Sequence, residues 1–394
     1  MIMMNALKNI YRIWVNELRL VFRDQGVMIF FFLLPLTYPV VYTLIYNTEV
    51  VHKIPVTVVD DCRTSQSREM TRMLGATSAV DVVDIAADMG EARRMMAEKK
   101  CYAVVHIPEN FSRSIGRGEP VKVPVFIDMS LLLRYRTLGF ALTDVQLQLG
   151  EDVRAELIDA AGGATVMTTG TSVKNEAFML GDQEQGFASF IIPGIIILIL
   201  QQSMVLGITM LAGGAAERRR RNGGVDPLAI AAPFWQTISG KTLAYLFLYI
   251  PGTLYILHYL PEMFSLPHTG SPSQYLPFIL PMLIASAFLG LLIGQTLIKE
   301  RESSFIVVVF TSVVFLFLSG LTWPRYAMSG IWLAVSNLVP ATHGVEGFVR
   351  INSNSGTLAE NSSSYLWMWG LAAGYLLLNL AVYWLKNKKV EKKS

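Results

Sequence analysis

The sequence predicts an α-helical membrane protein with six transmembrane helices, an N-terminal interfacial amphipathic helix and an inserted α/β domain. Three observations carry that fold class. Of the 394 residues, 52% are hydrophobic and only 16% charged, against about 25% charged in an ordinary soluble chain, so the charges are too few to coat a water-facing surface of this size. The charges are also unevenly placed, with 35 of the 63 Lys, Arg, Asp and Glu falling between residues 47 and 186. Outside that segment, uncharged runs recur at the roughly 20-residue length that crosses a hydrocarbon core of about 30 Å.

The elements follow in chain order. Residues 1–26 form a cytoplasmic amphipathic segment. In it Leu7, Ile10, Tyr11, Trp14, Leu18, Val21 and Phe22 recur at three- and four-residue steps, while Lys8, Arg12, Arg19 and Arg23 take other faces. The pattern fits a helix lying along the inner leaflet, with Trp14, Arg19 and Arg23 at the interface; its other reading is a solvated helix packed on a partner protein. Residues 27–46 are the first span, uncharged throughout. They exceed a signal peptide's apolar core of about 7–15 residues and are followed by no small-x-small cleavage site. After the inserted segment 47–186, residues 187–394 supply five further spans at about 187–213, 242–260, 275–298, 303–322 and 365–385, and a basic tail. Residues 323–348, broken by Pro324, Gly330, Pro340 and Gly344, read as short re-entrant or interfacial helices.

Lys and Arg in the short connections set the orientation. With the N-terminus cytoplasmic, the inner segments hold sixteen positive residues, whereas the short outer connections hold only Arg325 and Arg350. Both termini are therefore expected in the cytoplasm, and 47–186 outside. The net charge of +3 and the lack of clustered Lys/Arg interleaved with aromatics exclude nucleic acid as a partner. The lipid bilayer is the partner that composition names.

Within 47–186, β-branched runs alternate with helical stretches: strands at 56–60, 80–85, 102–107 and 123–128, helices at 67–74 and 89–98, then a longer helix over 131–161 and a Gly/Thr-rich loop to about 172. Such alternation predicts a small α/β domain with a mixed or parallel sheet. Cys62 follows the first strand and Cys101 begins the third. If those strands are parallel, the thiols stand roughly 15–20 Å apart at about 3.3 Å per residue, too far for a disulfide. An antiparallel pairing would leave the bridge open.

Catalytic chemistry is not visible. Gly240-Lys241-Thr242 ends like a phosphate-binding loop, but Trp235 stands where that loop needs its first glycine, and a span follows instead of a cytosolic helix. Lys241 reads instead as the cytoplasmic end of a span. The five histidines never pair at zinc-ligand spacing, no Gly-x-Ser-x-Gly elbow occurs, and Asp60, Asp61 and Asp128 read as strand-end and capping groups. The expectation is no catalytic residue, no metal and no cofactor of the chain's own. Gln201 and Gln202 fall mid-span, where an unpaired amide is costly. They are candidates either for helix-to-helix hydrogen bonding or for a place in a substrate path.

Glu217-Arg218, Gly223-Gly224 and the following DPLAIAAPFWQTISGKTLAY resemble the segment after the second span in membrane subunits of type-2 permease ABC exporters. Leu318-Ser319-Gly320, Trp323-Pro324, Asn337, Pro340 and Gly347-Phe348-Val349-Arg350 extend the resemblance, as does the strand-and-helix insert between spans one and two. It covers essentially the whole chain. The sequence departs from the family pattern at Arg219–Arg221, where a mixed-charge run is common, and at Gly223-Gly224-Val225, where Gly-Thr is usual.

The resemblance implies a permease subunit of an ATP-driven ABC exporter in a bacterial inner membrane, with 47–186 periplasmic and ATP bound by a separate ATPase subunit. Glu217, Arg218, Arg219, Arg220, Arg221 and Asn222 would form the coupling segment on which that ATPase docks, braced by the N-terminal helix. It further implies a homodimer or a pair with a paralogous permease, a periplasmic membrane-fusion adaptor and an outer-membrane channel. Multidrug efflux is among the roles it admits, although nothing in the spans separates a drug from a lipid, peptide or polysaccharide. The alternative class is a non-transporting mechanotransducer that acts on envelope partners through its outer domain.

Overall fold

In the computed structural model the described residues are 2–46, 52–117, 119–130, 132–160, 187–266 and 268–391. The Gly/Thr-rich loop expected to about residue 172 and the end of the basic tail lie outside them. Contacts divide the chain into two units, Met1–Glu49 with Phe178–Ser394, and Val50–Ala177.

The Val50–Ala177 unit is built on a four-stranded mixed sheet. Its strands are β1 (Ile54–Asp60), β2 (Val80–Ala86), β3 (Ala103–Ile107) and β4 (Val125–Ile127), in spatial order β2-β1-β3-β4. β1 runs parallel to β2 and β3, and β4 pairs antiparallel with β3. The central strand is covered on both faces. Val56 and Val58 pack with Met70, Leu74, Phe111 and Leu138, while Val59 packs with Ala86, Ala92 and Cys101, which is why it reads as a nearly continuous β-branched run. Cys101 precedes β3 at the end of the sheet opposite Cys62, both thiols are free, and the parallel β1–β3 register is the physical reason.

Local polar groups end these elements. Asp60 accepts the N–H groups of Cys62 and Arg63 at 3.0 and 2.9 Å and the Ser67 hydroxyl at 2.6 Å. Thr64 and Ser67 close a capping box on the helix Ser65–Ala76. Asp128 accepts both Ser130 N–H and Ser130 O–H at 2.9 Å, and Asp61 bonds His106 Nε2 at 2.8 Å. The helix Phe111–Gly116, which no sequence pattern announced, adds Phe111 and Ile115 to the core.

The other unit is helical. Its elements, numbered within the unit, are α1 (Ile2–Arg23), α2 (Gln25–Ile45), α3 (Phe187–Arg221), α4 (Phe234–Met263), α5 (Pro272–Thr296), α6 (Arg301–Leu318), α7 (Gly330–Asn337), α8 (Pro340–Asn354) and α9 (Ser362–Glu391). Six of them, α2, α3, α4, α5, α6 and α9, are long and apolar enough to cross a membrane. α3 is the axis of the bundle: 83% of its most apolar stretch is buried, against 17% in α6 and 22% in α2 and α9. α3 therefore packs on protein all round, while those three turn apolar side chains such as Phe310, Leu44 and Leu377 outward. A π turn over Ile29–Leu33 lies just before Pro35, whose missing N–H already breaks the ladder there.

Candidate functional site

The polar chemistry of the helical unit gathers where α3 ends in four arginines. α3 closes with Asn222 N–H donating to Arg218 O at 3.0 Å and Gly224 N–H to Arg219 O at 2.7 Å. Gly223 and Gly224 take φ of 65° and 100°, a left-handed exit that suits residues without a Cβ. The chain then folds back, because Arg218 grips Asp226 with two hydrogen bonds of 2.8 and 3.0 Å. Burial pushes the Asp226 carboxyl up, but the Arg218 fork, the Leu228 N–H and the charges of Arg218 and Arg219 outweigh it and hold it below the usual carboxylate range.

The same helix end is tied to α6. Glu217 Oε1 accepts the Arg301 N–H at 2.9 Å, satisfying a donor in the first turn of α6 from a neighbouring helix. Arg220 donates to Glu300 Oε1 at 2.9 Å and to Lys299 O at 3.1 Å. The Arg301 guanidinium pairs in turn with Asp24 at the start of α2. Of the six residues expected to form the coupling segment, Glu217 is thus spent on α6, Arg220 on the turn that leads into it and Arg218 on the loop after α3, and Asn222 donates to Arg218 O at 2.8 Å. Arg219 bonds only Ala215 O of its own helix, and Arg219 and Arg221 are exposed.

α1 lies against α4. The face it buries is Ala6, Ile13, Glu17 and Val21; of the apolar stripe seen in the periodicity, Val21 is buried, Ile10, Trp14 and Leu18 are half-buried, and Leu7, Tyr11 and Phe22 are exposed. Glu17 is only 2% exposed, and its carboxylate accepts two 2.8 Å hydrogen bonds from Lys241 Nζ and one from the buried Tyr245 hydroxyl. Gly240 lets α1 come this close, since a Cβ there would sit 2.8 Å from Ile13 Cγ2 and 3.0 Å from Ile10 O. Gly240-Lys241 is therefore a helix-packing pair within α4, with no phosphate loop around it. Trp14 meets Phe247 edge to face at 5.3 Å, and Arg19 and Arg23 are exposed. Asn16 Nδ2 donates to Leu228 O at 2.9 Å, linking α1 to the loop that Asp226 pins.

Between the ends of α3, α4, α5 and α9 a cavity of about 980 Å³ opens. Its walls include Ile208, Leu211, Ile238 and Leu291, and Arg219, Arg220, Lys241, Lys299, Lys386 and Glu300 supply its charges. Lys386 donates to Gln295 O at 2.5 Å, and Gln295 to Asn379 at 2.9 Å. Gln201 and Gln202 are not among the lining residues. Both are buried in the bundle: Gln201 Oε1 accepts the Ala341 N–H at 2.6 Å, which holds the start of α8 on α3, while Gln201 Nε2 and both amide atoms of Gln202 have no hydrogen-bond partner among the described residues. Toward the other end of α6, Arg325 binds both Asn337 and Glu346, joining three parts of the segment 318–350. Among the described residues, no group of three or more His, Cys, Asp or Glu is arranged to hold a metal.

Sequence reasoning missed Glu17, Asp24, Asp226, Glu300 and Arg301 as members of this cluster. For Glu17 a signal existed: it is the single acid of α1 and stands four residues from both Ile13 and Val21, on one helical face. The pairs across α2, α3 and α6 join residues up to 277 positions apart, and no local pattern announces them.

Six apolar helices around a buried axis define a multi-pass membrane protein. The chain belongs to the ABC-2 family: the model described as ABC-2 family transporter protein matches residues 26–381. It is thus the transmembrane permease component of an ABC transporter rather than the ATP-binding cassette, and the family implies an ATPase partner. Comparison with curated proteins returns no match.

Proposed function

We propose that this permease is the membrane subunit of an ATP-driven exporter in a bacterial inner membrane, energised by an ATPase on a separate chain. The basic ends of α3, α6 and α9 face the cytoplasm under the positive-inside rule, and residues 47–186 are periplasmic. The observation that carries the reading is the basic end of α3. Its C-terminal turn is bonded to α6, to the loop before α4 and, through Arg301, to α2, so a push on that turn moves several spans together. Arg221 and the 69%-exposed Val225 are the groups left for an ATPase to grip, and α1 braces the loop through Asn16. Closure of the ATPase dimer would displace this turn and switch the bundle between inward and outward exposure.

A second copy or a paralogous permease covers the outward apolar faces of α2 and α6, and a periplasmic adaptor with its outer-membrane channel meets the inserted domain. The cavity of about 980 Å³ favours transport over mechanotransduction, since a device that only transmits force needs no such space. The test is purification of the full chain from membranes. An ABC ATPase is expected to co-purify with the wild type and to be lost in Arg221→Glu, a position at which the native side chain makes no bond to another described residue. Absence of an ATPase from the wild type, or full retention by the variant, would overturn the reading.

A further inference from the structure

The charges around the cavity do not cancel. Arg220 is matched by Glu300, and Lys241 by Glu17. Arg219, Lys299 and Lys386 also line the space, and among the described residues none of the three forms an ion pair; the carboxylate whose field Arg219 shares, Asp226, is already gripped by Arg218, so positive charge remains in excess. Lys299 is exposed, lines the cavity, and its ammonium makes no hydrogen bond among the described residues. Low-dielectric walls focus such a field into a cleft and favour an anion there, and a guanidinium with two ammonium groups is a donor set suited to phosphate oxygens.

Deeper in, the walls change character to Ile208, Leu211 and Leu291. A free anion would satisfy the charged rim but leave those walls without apolar cover. A neutral amphiphile would cover the walls and leave the cations unmatched. Only a molecule with an anionic head and an apolar tail satisfies both. The cations also cap the ends of membrane-spanning helices, which is the depth at which lipid headgroups lie.

We propose that this cavity is a binding site for a phosphate-bearing anionic amphiphile of the acidic-phospholipid kind, entered from the inner leaflet, with Arg219, Lys299 and Lys386 holding the head and the α3 and α5 side chains covering the first part of the tail. The proposal rests on the permease reading only for the cytoplasmic placement of these helix ends. It requires neither the ATPase nor transport, so a failed co-purification leaves it standing and a failed binding test leaves the exporter reading standing.

The test is calorimetric titration of the purified full-length chain in phosphatidylcholine nanodiscs with short-chain phosphatidylglycerol, short-chain phosphatidylcholine and inorganic phosphate. Phosphatidylglycerol is expected to bind at least tenfold more tightly than either of the others. The double variant Arg219→Gln/Lys299→Gln removes no hydrogen bond between helices and is expected to weaken phosphatidylglycerol at least tenfold, while Arg12→Gln, an exposed cation outside the cavity, leaves it unchanged. Equal binding of the two lipids would overturn the proposal, and so would unaltered phosphatidylglycerol binding by the double variant. Inorganic phosphate binding as tightly as phosphatidylglycerol would show a site for a free anion and overturn the amphiphile.

Discussion

Glu17 offers the sharpest perturbation of the N-terminal brace. Replacement by Gln removes the charge that Lys241 and Tyr245 share, with little change in volume. Removing one member of a buried ion pair costs roughly 3–5 kcal/mol, because the partner is left charged and unmatched. Here Lys241 is 31% exposed through the neighbouring cavity and keeps part of its hydration, so about 2–4 kcal/mol is the reasonable expectation once that solvent screening is allowed for. At 1.4 kcal/mol per decade this raises the equilibrium constant for local release of α1 roughly 30- to 700-fold.

Hydrogen exchange read by mass spectrometry on the full chain reports that release directly, as faster exchange across α1 with α3 and α5 unchanged. Lys241→Met should behave alike. The double variant Glu17→Leu/Lys241→Met replaces the pair by apolar groups of similar volume and should recover most of the protection, since the orphaned charge is what costs. Single variants with α1 exchange within a factor of three of the wild type would refute the reasoning. So would a double variant as damaged as the sum of its parts, because the pair would then contribute through packing and not through the burial of charge.

The loop after α3 should respond to acid in one direction only. The Asp226 carboxyl is held below its ordinary value, so its contribution is complete above the unfolded carboxylate range and is lost as pH falls through the lower folded value; protease protection of residues 222–233 should stay flat through neutral pH and fail only in strong acid, while Asp226→Asn is unprotected at every pH. In the inserted domain, burial pushes the Cys62 thiol up, but hydrogen bonding with Ser112 and Thr64 outweighs this and leaves it below its ordinary value. Maleimide should therefore modify Cys62 and spare the fully buried Cys101, and Ser112→Ala should move the pH midpoint of Cys62 labelling upward; an unmoved midpoint would contradict that role for the hydroxyl.

What the sequence made legible follows from the range of the forces involved. Each apolar run had to be a helix because hydrocarbon leaves the backbone no other way to satisfy its N–H and C=O groups, and the six runs correspond to six helices of spanning length. The mixed sheet was legible for a similar reason, since a central strand buried on both faces needs an unbroken β-branched run such as Val56–Val59. The candidate site was legible only where charge is concentrated locally, at Arg218–Arg221. Its bonding was not, because the carboxylates that choose among those arginines arrive from the loop at Asp226 and from α6 at Glu300, while the N–H that Glu217 accepts also belongs to α6. The face of α1 that meets α4 shows both scales at work. Periodicity weighs every apolar residue equally and set Leu7, Tyr11 and Phe22 on one stripe with Val21, whereas the structure buries Val21 and the carboxylate of Glu17, which has a lysine and a tyrosine to meet, and leaves those three exposed. Their exposure leaves an apolar strip along α1 on which Arg19 and Arg23 are exposed too, so the contact that fastens the helix to α4 does not consume its apolar side chains.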